Sequence, residues 1–206
     1  MNTSSFLLNN GNSKATTLNA RASDDFQSKL AETQALLQRA AIEYTPVTQA
    51  SSLGAEDVVI THLINTLKLD IPVFVLETGA LHTETLALLE RTEATSRTPI
   101  NVYRPEHELV IQFVRTQGQD AMYKSIELRK ACCGIRKMEP LARALKAQRA
   151  WITGLRQEQS SARADVPLQD DSEVAIKNLS KFNPLAKWTW GDVWHYIAPH
   201  NVDYNP

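Results

Sequence analysis

The sequence predicts an α/β fold, a mostly parallel sheet with helices on both faces. Three observations carry that reading. Strand-like, turn-like and helix-like segments alternate along most of the chain, the order that builds parallel sheets. The run Ile71–Leu76, IPVFVL, is almost continuously apolar, as a strand covered on both faces must be. The expected strand ends carry polar, glycine-containing loops, SSLGAED, ETGALH and TGLRQEQSSAR. Open α/β sheets bind their ligands at such ends.

Each element has a local reason. Residues 1–22 are rich in Asn, Ser and Thr and read as a flexible tail. Ser23, Asp24 and Asp25 supply a cap and first-turn acids. Phe26, Leu30, Leu37 and Ala41 then recur at helical spacing, so a helix is expected to about Ile42. Pro46 opens a short strand that breaks into Ser-Ser-Leu-Gly. Ile60, Leu63, Ile64 and Leu67 mark one face of the next helix. After the apolar strand comes a helix over roughly Thr83–Thr95, then a short strand, INVYRP. Leu109, Val110, Phe113 and Val114 mark a helix, and Ile135, Met138, Ala142 and Leu145 another. RAWITGLR reads as a strand ending at Gly154, SEVAIKNLS as a further strand or extended segment, and WTWGDVWHYIA as a short helix.

The 206 residues suit one domain with a sizeable core, residues 23–206. With a net charge of -1, no basic surplus points to nucleic acid or a membrane surface, so any anion site must be local. No apolar run approaches the ~18 residues that span a bilayer. The N-terminus has only a three-residue apolar patch, Phe6–Leu8, and does not read as a secretory signal. Two cysteines without such a signal fit a reducing cytoplasm, where thiols serve more as ligands or reagents than as staples.

Five groups of residues bear on chemistry. A Ser/Gly turn between strand and helix, as in ASSLGAEDV, can offer backbone N–H groups and hydroxyls to an anion. Glu56 and Asp57 in the same turn suit the helix dipole but would repel a phosphate unless turned away. A plain capped turn explains the same residues. In GLRQEQSSAR, Arg156 and Arg163 flank a polar loop, and two arginine forks can clamp a phosphate or sulfate; the alternative is a solvated basic loop. Cys132 and Cys133 are adjacent and are the only cysteines, with Arg129, Lys130, Arg136 and Lys137 around them. Neighbouring Cα atoms lie about 3.8 Å apart, below the roughly 4.4–6.8 Å of ordinary disulfides. The surrounding cations favour thiolate, the form that attacks and that binds metal. Inert buried thiols are the bland alternative. Two thiolates are half of a four-sulfur site, and the chain has no other cysteine. His62 reads as structural and His82, at a strand end, as a better site candidate; the histidines show no zinc spacing. Trp188, Trp190 and Trp194 read as packing residues, with base stacking as the alternative.

Together, SSLGAEDVV, ETGALHTET, RKACCGIRKMEPL, ITGLRQEQSSAR and NPLAKWTWGDVWHYI resemble, in order and near spacing, the assimilatory adenylyl-sulfate and phosphoadenylyl-sulfate reductases. The resemblance covers about Asp24–Pro206. It implies an adenine nucleotide α-hydrolase-like fold, related to the ATP pyrophosphatases. It implies reduction of adenosine 5′-phosphosulfate to sulfite and AMP with thioredoxin as donor, in sulfate assimilation and cysteine biosynthesis. Ser51, Ser52 and Gly54 inherit a phosphosulfate-binding role; Thr78, Gly79, Arg156 and Arg163 help hold the nucleotide. Cys132 and Cys133 correspond to two ligands of a [4Fe–4S] cluster, and Lys137 to the lysine between cluster and substrate. The cysteine pair favours the cluster-bearing branch, and so the substrate without a 3′-phosphate; the 3′-phosphorylated substrate is the alternative. The family continues into a C-x-x-C segment and a catalytic cysteine beyond the position of Pro206. Residues 1–206 are therefore expected to bind nucleotide weakly and not to turn over. Oligomeric state stays open, a homo-oligomer among the options. Two rivals remain: an ATP pyrophosphatase or adenylyltransferase, which would need Ser-Gly-Gly-x-Asp-Ser where this chain has SSLGAED, and a non-catalytic thiol or metal-binding or nucleotide-binding module.

Overall fold

A computed structural model describes residues 12–205. Six strands form one sheet in the order β3-β2-β1-β4-β6-β5. They are β1 (Val47–Ser51), β2 (Val73–Leu76), β3 (Ile100–Tyr103), β4 (Ala150–Ile152), β5 (Gln169–Asp170) and β6 (Ser180–Phe182). All neighbours run parallel except the two-residue edge strand β5, which is antiparallel to β6. The α/β reading therefore holds. Strand order reverses between β1 and β4, and open α/β sheets bind ligands at such a point.

The helices are α1 (Asn12–Asn19), α2 (Phe26–Glu43), α3 (Ala55–Thr66), α4 (Thr83–Thr95), α5 (His107–Gln117), α6 (Ile126–Cys133), α7 (Glu139–Leu145), α8 (Val174–Lys177) and α9 (Trp190–His200). The interior strand β2 is buried on both faces at Val73, Phe74 and Val75, as its unbroken apolar run requires. α3 buries Val58, Val59, Ile60, Leu63 and Ile64, packing against β1 and α9. Trp188 is a core residue: its indole N–H donates to Thr33 Oγ1 at 3.0 Å, and that hydroxyl donates to the Pro184 carbonyl at 2.7 Å. The pair pins α2 to the segment before α9, so the packing reading of this tryptophan stands.

Three expectations need correction. The tail expected over residues 1–22 contains α1, which packs on α9; residues 1–11 lie outside the described residues. Gly191 is what permits the approach, because a Cβ there would sit 2.3 Å from the Arg21 carbonyl oxygen. SEVAIKNLS is not one strand. Its first half is the single-turn α8, ended by Asn178 in the left-handed region, and only Ser180 onward joins the sheet. Val174 and Ile176 are β-branched, a type favoured in strands, but both are exposed, so their pattern reports no buried face. The helix past the cysteines opens with a π turn, Gly134–Met138, before α7. Such turns concentrate at functional sites.

Candidate functional site

A cavity of about 470 Å³ opens at the carboxyl ends of β1, β2 and β4, at the switch point. Phe74, Leu76, Leu81, Leu141 and Leu155 give it an apolar wall. Ser51, Ser52, Asp57, Thr78, Lys137 and Arg163 line it with polar groups. The three loops singled out in the sequence thus meet in one place, together with the residues just past the cysteine pair.

The Ser/Gly turn is built unusually. Leu53, not Gly54, takes the left-handed backbone (φ 63°), and its side chain is buried. Such a conformation is costly for leucine and is kept only where the surroundings enforce it. Gly54 is extended and caps α3, its carbonyl accepting from Val58 N at 3.0 Å. Ser51 Oγ accepts from Leu53 N at 3.1 Å. Ser52 donates from both its N and its Oγ to Asp57 Oδ2, each at 2.7 Å. The donors expected to face an anion are therefore held by a carboxylate from the same turn. Although the Asp57 residue is only half-buried by surface, its carboxyl lies beneath the turn. Burial pushes this carboxyl up from the ordinary range, and the Ser52 donors only partly oppose that shift. Gly154 is required opposite it: a Cβ there would lie 2.4 Å from Asp57 Oδ1. Gln49, fully buried on β1, ties the strand to α3 by donating to the Asp57 carbonyl at 2.8 Å and accepting from Thr61 at 3.0 Å. Period-2 patterning places Gln49 on the strand but gives no hint of this role.

The β2–α4 loop brings Thr78 to the cavity. Gly79 adopts φ 71°, where a side chain would be strained and would meet Arg136. Arg136 Nη1 donates to the Thr78 carbonyl at 2.6 Å, so the π turn after the cysteines fastens this loop. Sequence reasoning missed Arg136, because nothing distinguishes it from its three cationic neighbours. Lys137, one residue on, lines the cavity and has no ion pair among the described residues. Cys132 is buried and Cys133 half-buried; both are free thiols, and neither lines the cavity. His82 sits exposed ahead of α4 and His62 bonds to the Tyr196 hydroxyl at 2.9 Å, away from the cavity.

The two arginines of the third loop separate. Arg163 lines the cavity. Arg156 does not: its guanidinium is buried, donating to Glu56 at 3.0 Å, to Glu158 at 2.8 Å and to the Trp188 carbonyl at 3.3 Å, with Trp190 under its face at 5.4 Å. These contacts tie it to α3, to its own loop and to the segment before α9, so it braces the loop. No group of three or more metal-ligating side chains occurs among the described residues.

Residues 46–206 match the family model of the phosphoadenosine phosphosulfate reductase domain. The chain is 45% identical over 171 residues to adenosine 5′-phosphosulfate reductase of Allochromatium vinosum, covering 83% of this chain and 66% of that relative, about two thirds of its length. Among solved structures it is similar to phosphoadenylyl-sulfate reductase from Candida auris in a phosphate complex (TM-score 0.70, 24% identity, 90% of each chain). It also shares its fold with NMN synthetase from Francisella tularensis (TM-score 0.55, 12% identity, 85% of this chain and 71% of that one). The fold is thus adenine nucleotide α-hydrolase-like. By the extent of the family match, with the cavity at the switch point of such a sheet, the chain belongs to the phosphoadenosine phosphosulfate reductase domain family.

Proposed function

We propose that this domain binds adenosine 5′-phosphosulfate for thioredoxin-dependent reduction to sulfite and AMP. The observation that carries the reading is the cavity's composition: an apolar wall facing two cations, Lys137 and Arg163, that have no carboxylate partner among the described residues. An apolar wall suits a nucleobase; unpaired cations suit a phosphosulfate. The reaction runs in two steps. A cysteine thiolate attacks the sulfate sulfur, the S–O bond to the phosphate breaks, and AMP leaves with the bonding pair. Thioredoxin's dithiol then reduces the resulting S-sulfocysteine, releasing sulfite and becoming a disulfide. Attack brings a negative nucleophile onto a dianionic group, and Lys137 and Arg163 offset that charge as it accumulates. Thr78 and the Ser51–Gly54 turn shape the cavity around the nucleotide, Gly79 through its backbone.

Cys132 and Cys133 supply two of the four thiolates that a [4Fe–4S] cluster takes; the donor type fits, and the chain's own residues make half the set. When bound, such a cluster supplies a charged, redox-active centre. The cysteine pair and the A. vinosum relative named above favour the substrate without a 3′-phosphate over the 3′-phosphorylated one. No helix among the described residues is long and apolar enough to cross a membrane, and the free thiols suit a reducing cytoplasm.

Titration with adenosine 5′-phosphosulfate and its 3′-phosphorylated form tests the reading: the first is expected to bind more tightly. The attacking thiolate is neither member of the adjacent pair, so residues 1–206 alone are expected to bind nucleotide without releasing sulfite. Robust thioredoxin-dependent sulfite release from them would contradict this assignment.

A further inference from the structure

Arg163 is exposed, sits on a loop of two short 3₁₀ turns (157–159 and 161–163), and lines the cavity without a carboxylate partner among the described residues. A free arginine on such a loop loses considerable rotamer entropy when it grips a ligand. Something must aim it, and the contacts name what does. Arg163 Nη1 donates to Gln159 Oε1. The same oxygen accepts from the Arg156 backbone N at 3.3 Å. Gln159 Nε2 donates to Glu56 Oε1 at 3.0 Å, and Glu56 Oε1 also accepts from Arg156 Nε at 3.0 Å. Glu56 stands in the first turn of α3, beside the Ser/Gly turn. Its charge, which would repel an anion in the cavity, is turned onto a buried guanidinium.

The geometry points to Gln159 as a positioning residue: braced by Glu56 on the rigid start of α3, it holds Arg163 toward the anionic end of the nucleotide. The assignment rests on the reading of the cavity as a sulfonucleotide site. It also gives Glu56, which lines the cavity together with Gln159, a role that acts through another side chain. Every residue in the relay has a distinct part: Arg156 neutralises Glu56, Glu56 anchors Gln159, and Gln159 aims Arg163.

The test is calorimetric titration of the protein with adenosine 5′-phosphosulfate and, in parallel, with adenosine, which lacks the anion. Arg163→Ala is expected to weaken the sulfonucleotide at least 10-fold and leave adenosine unchanged. Gln159→Ala is expected to weaken the sulfonucleotide about 3- to 10-fold, again sparing adenosine, and the double variant to be no weaker than Arg163→Ala alone. Glu56→Ala reproduces Gln159→Ala, whereas Glu56→Gln, which keeps an acceptor oxygen, largely restores binding. Amide exchange over residues 157–165 of the unliganded protein supplies a second measurement: the loop opens faster in Gln159→Ala. Full additivity in the double variant, equal loss of adenosine affinity, or unchanged loop exchange would overturn the positioning role. Failure of the unaltered protein to distinguish sulfonucleotide from adenosine would overturn the cavity reading, and this role with it.

Discussion

Helices α3 and α9 begin with the same device and reach opposite electrostatic ends. Each has an aspartate in its first turn, Asp57 and Asp192, that reaches back to donors preceding the helix. At α9 the aspartate completes a capping box with Thr189, accepting from Thr189 N at 2.9 Å while Thr189 Oγ1 accepts from Asp192 N at 3.0 Å. Ser23 adds its N and Oγ at 2.7 and 2.8 Å, and Lys29 lies 3.4 Å away. Burial alone would push the Asp192 carboxyl up, but the donors from Ser23 and Thr189 outweigh it and hold it below the ordinary range. At α3 the cap is a glycine with no side chain to return the favour, and burial wins, so Asp57 is held high. One start is a satisfied clamp that fastens the chain near Ser23 to α9. The other leaves a carboxyl in tension at the mouth of a cavity. Unbalanced electrostatics of the second kind mark functional sites more than structural ones.

The comparison can be broken by substitution, and the largest effect is expected at α9. Asp192→Ala removes a fully buried acceptor of several bonds and should cost about 3 kcal/mol, lowering the melting temperature by roughly 6–12 °C in a chain this long. Asp57→Ala should cost under about 1 kcal/mol, because Ser52 is exposed and its freed donors turn to water. Equal losses in thermal denaturation would erase the distinction. Gly154→Ala forces a methyl against Asp57 and Glu56 and should cost about 2 kcal/mol by overpacking; it should also weaken nucleotide binding, since Gly154 lines the cavity. Thr189→Ala removes one side of the capping box, a loss of about 1 kcal/mol with no effect on nucleotide affinity.

The smallest and sharpest effect is in pH. A depressed carboxyl such as Asp192 contributes stability that is present above its unfolded value, about 4, and is lost as pH falls through its lower folded value. A raised carboxyl such as Asp57 works the other way. Its protonated form is favoured in the fold, so it costs stability as pH rises from about 4 through its higher folded value. The stability gap between the unaltered protein and Asp192→Ala should therefore widen from acid toward neutral pH, and the corresponding gap for Asp57→Ala should shrink. Parallel pH profiles from chemical denaturation would contradict the opposite shifts.

Much of this was legible in the residues. The apolar run Ile71–Leu76, buried at Ile71 and Val73–Val75, and the spacing of the buried Ile60, Leu63 and Ile64 announced strand and helix. The three loops were found because polar strand ends stand out against apolar strands. What escaped depends on partners distant in sequence. Arg156 and Arg163 look alike in a loop, yet Glu56, a hundred positions earlier, claims one and leaves the other. Arg136 resembles its neighbours until the Thr78 carbonyl selects it. Leu53 in the left-handed region, beside a glycine that does not use it, is invisible to any rule that assigns positive φ to glycine first. In SEVAIKNLS, Val174 and Ile176 are β-branched, but such residues report a strand only when a sheet receives them, and both are exposed.

On the proposed function, Lys137 and Arg163 receive an anionic tail while the apolar wall receives the nucleoside. This is tested most directly by titrating the unaltered protein and the Lys137→Ala/Arg163→Ala double variant with adenosine 5′-phosphosulfate and with adenosine. The sulfonucleotide is expected to bind the unaltered protein more tightly than adenosine does, and the double variant to bind the two alike. A preference for the sulfonucleotide that survives removal of both cations would contradict it.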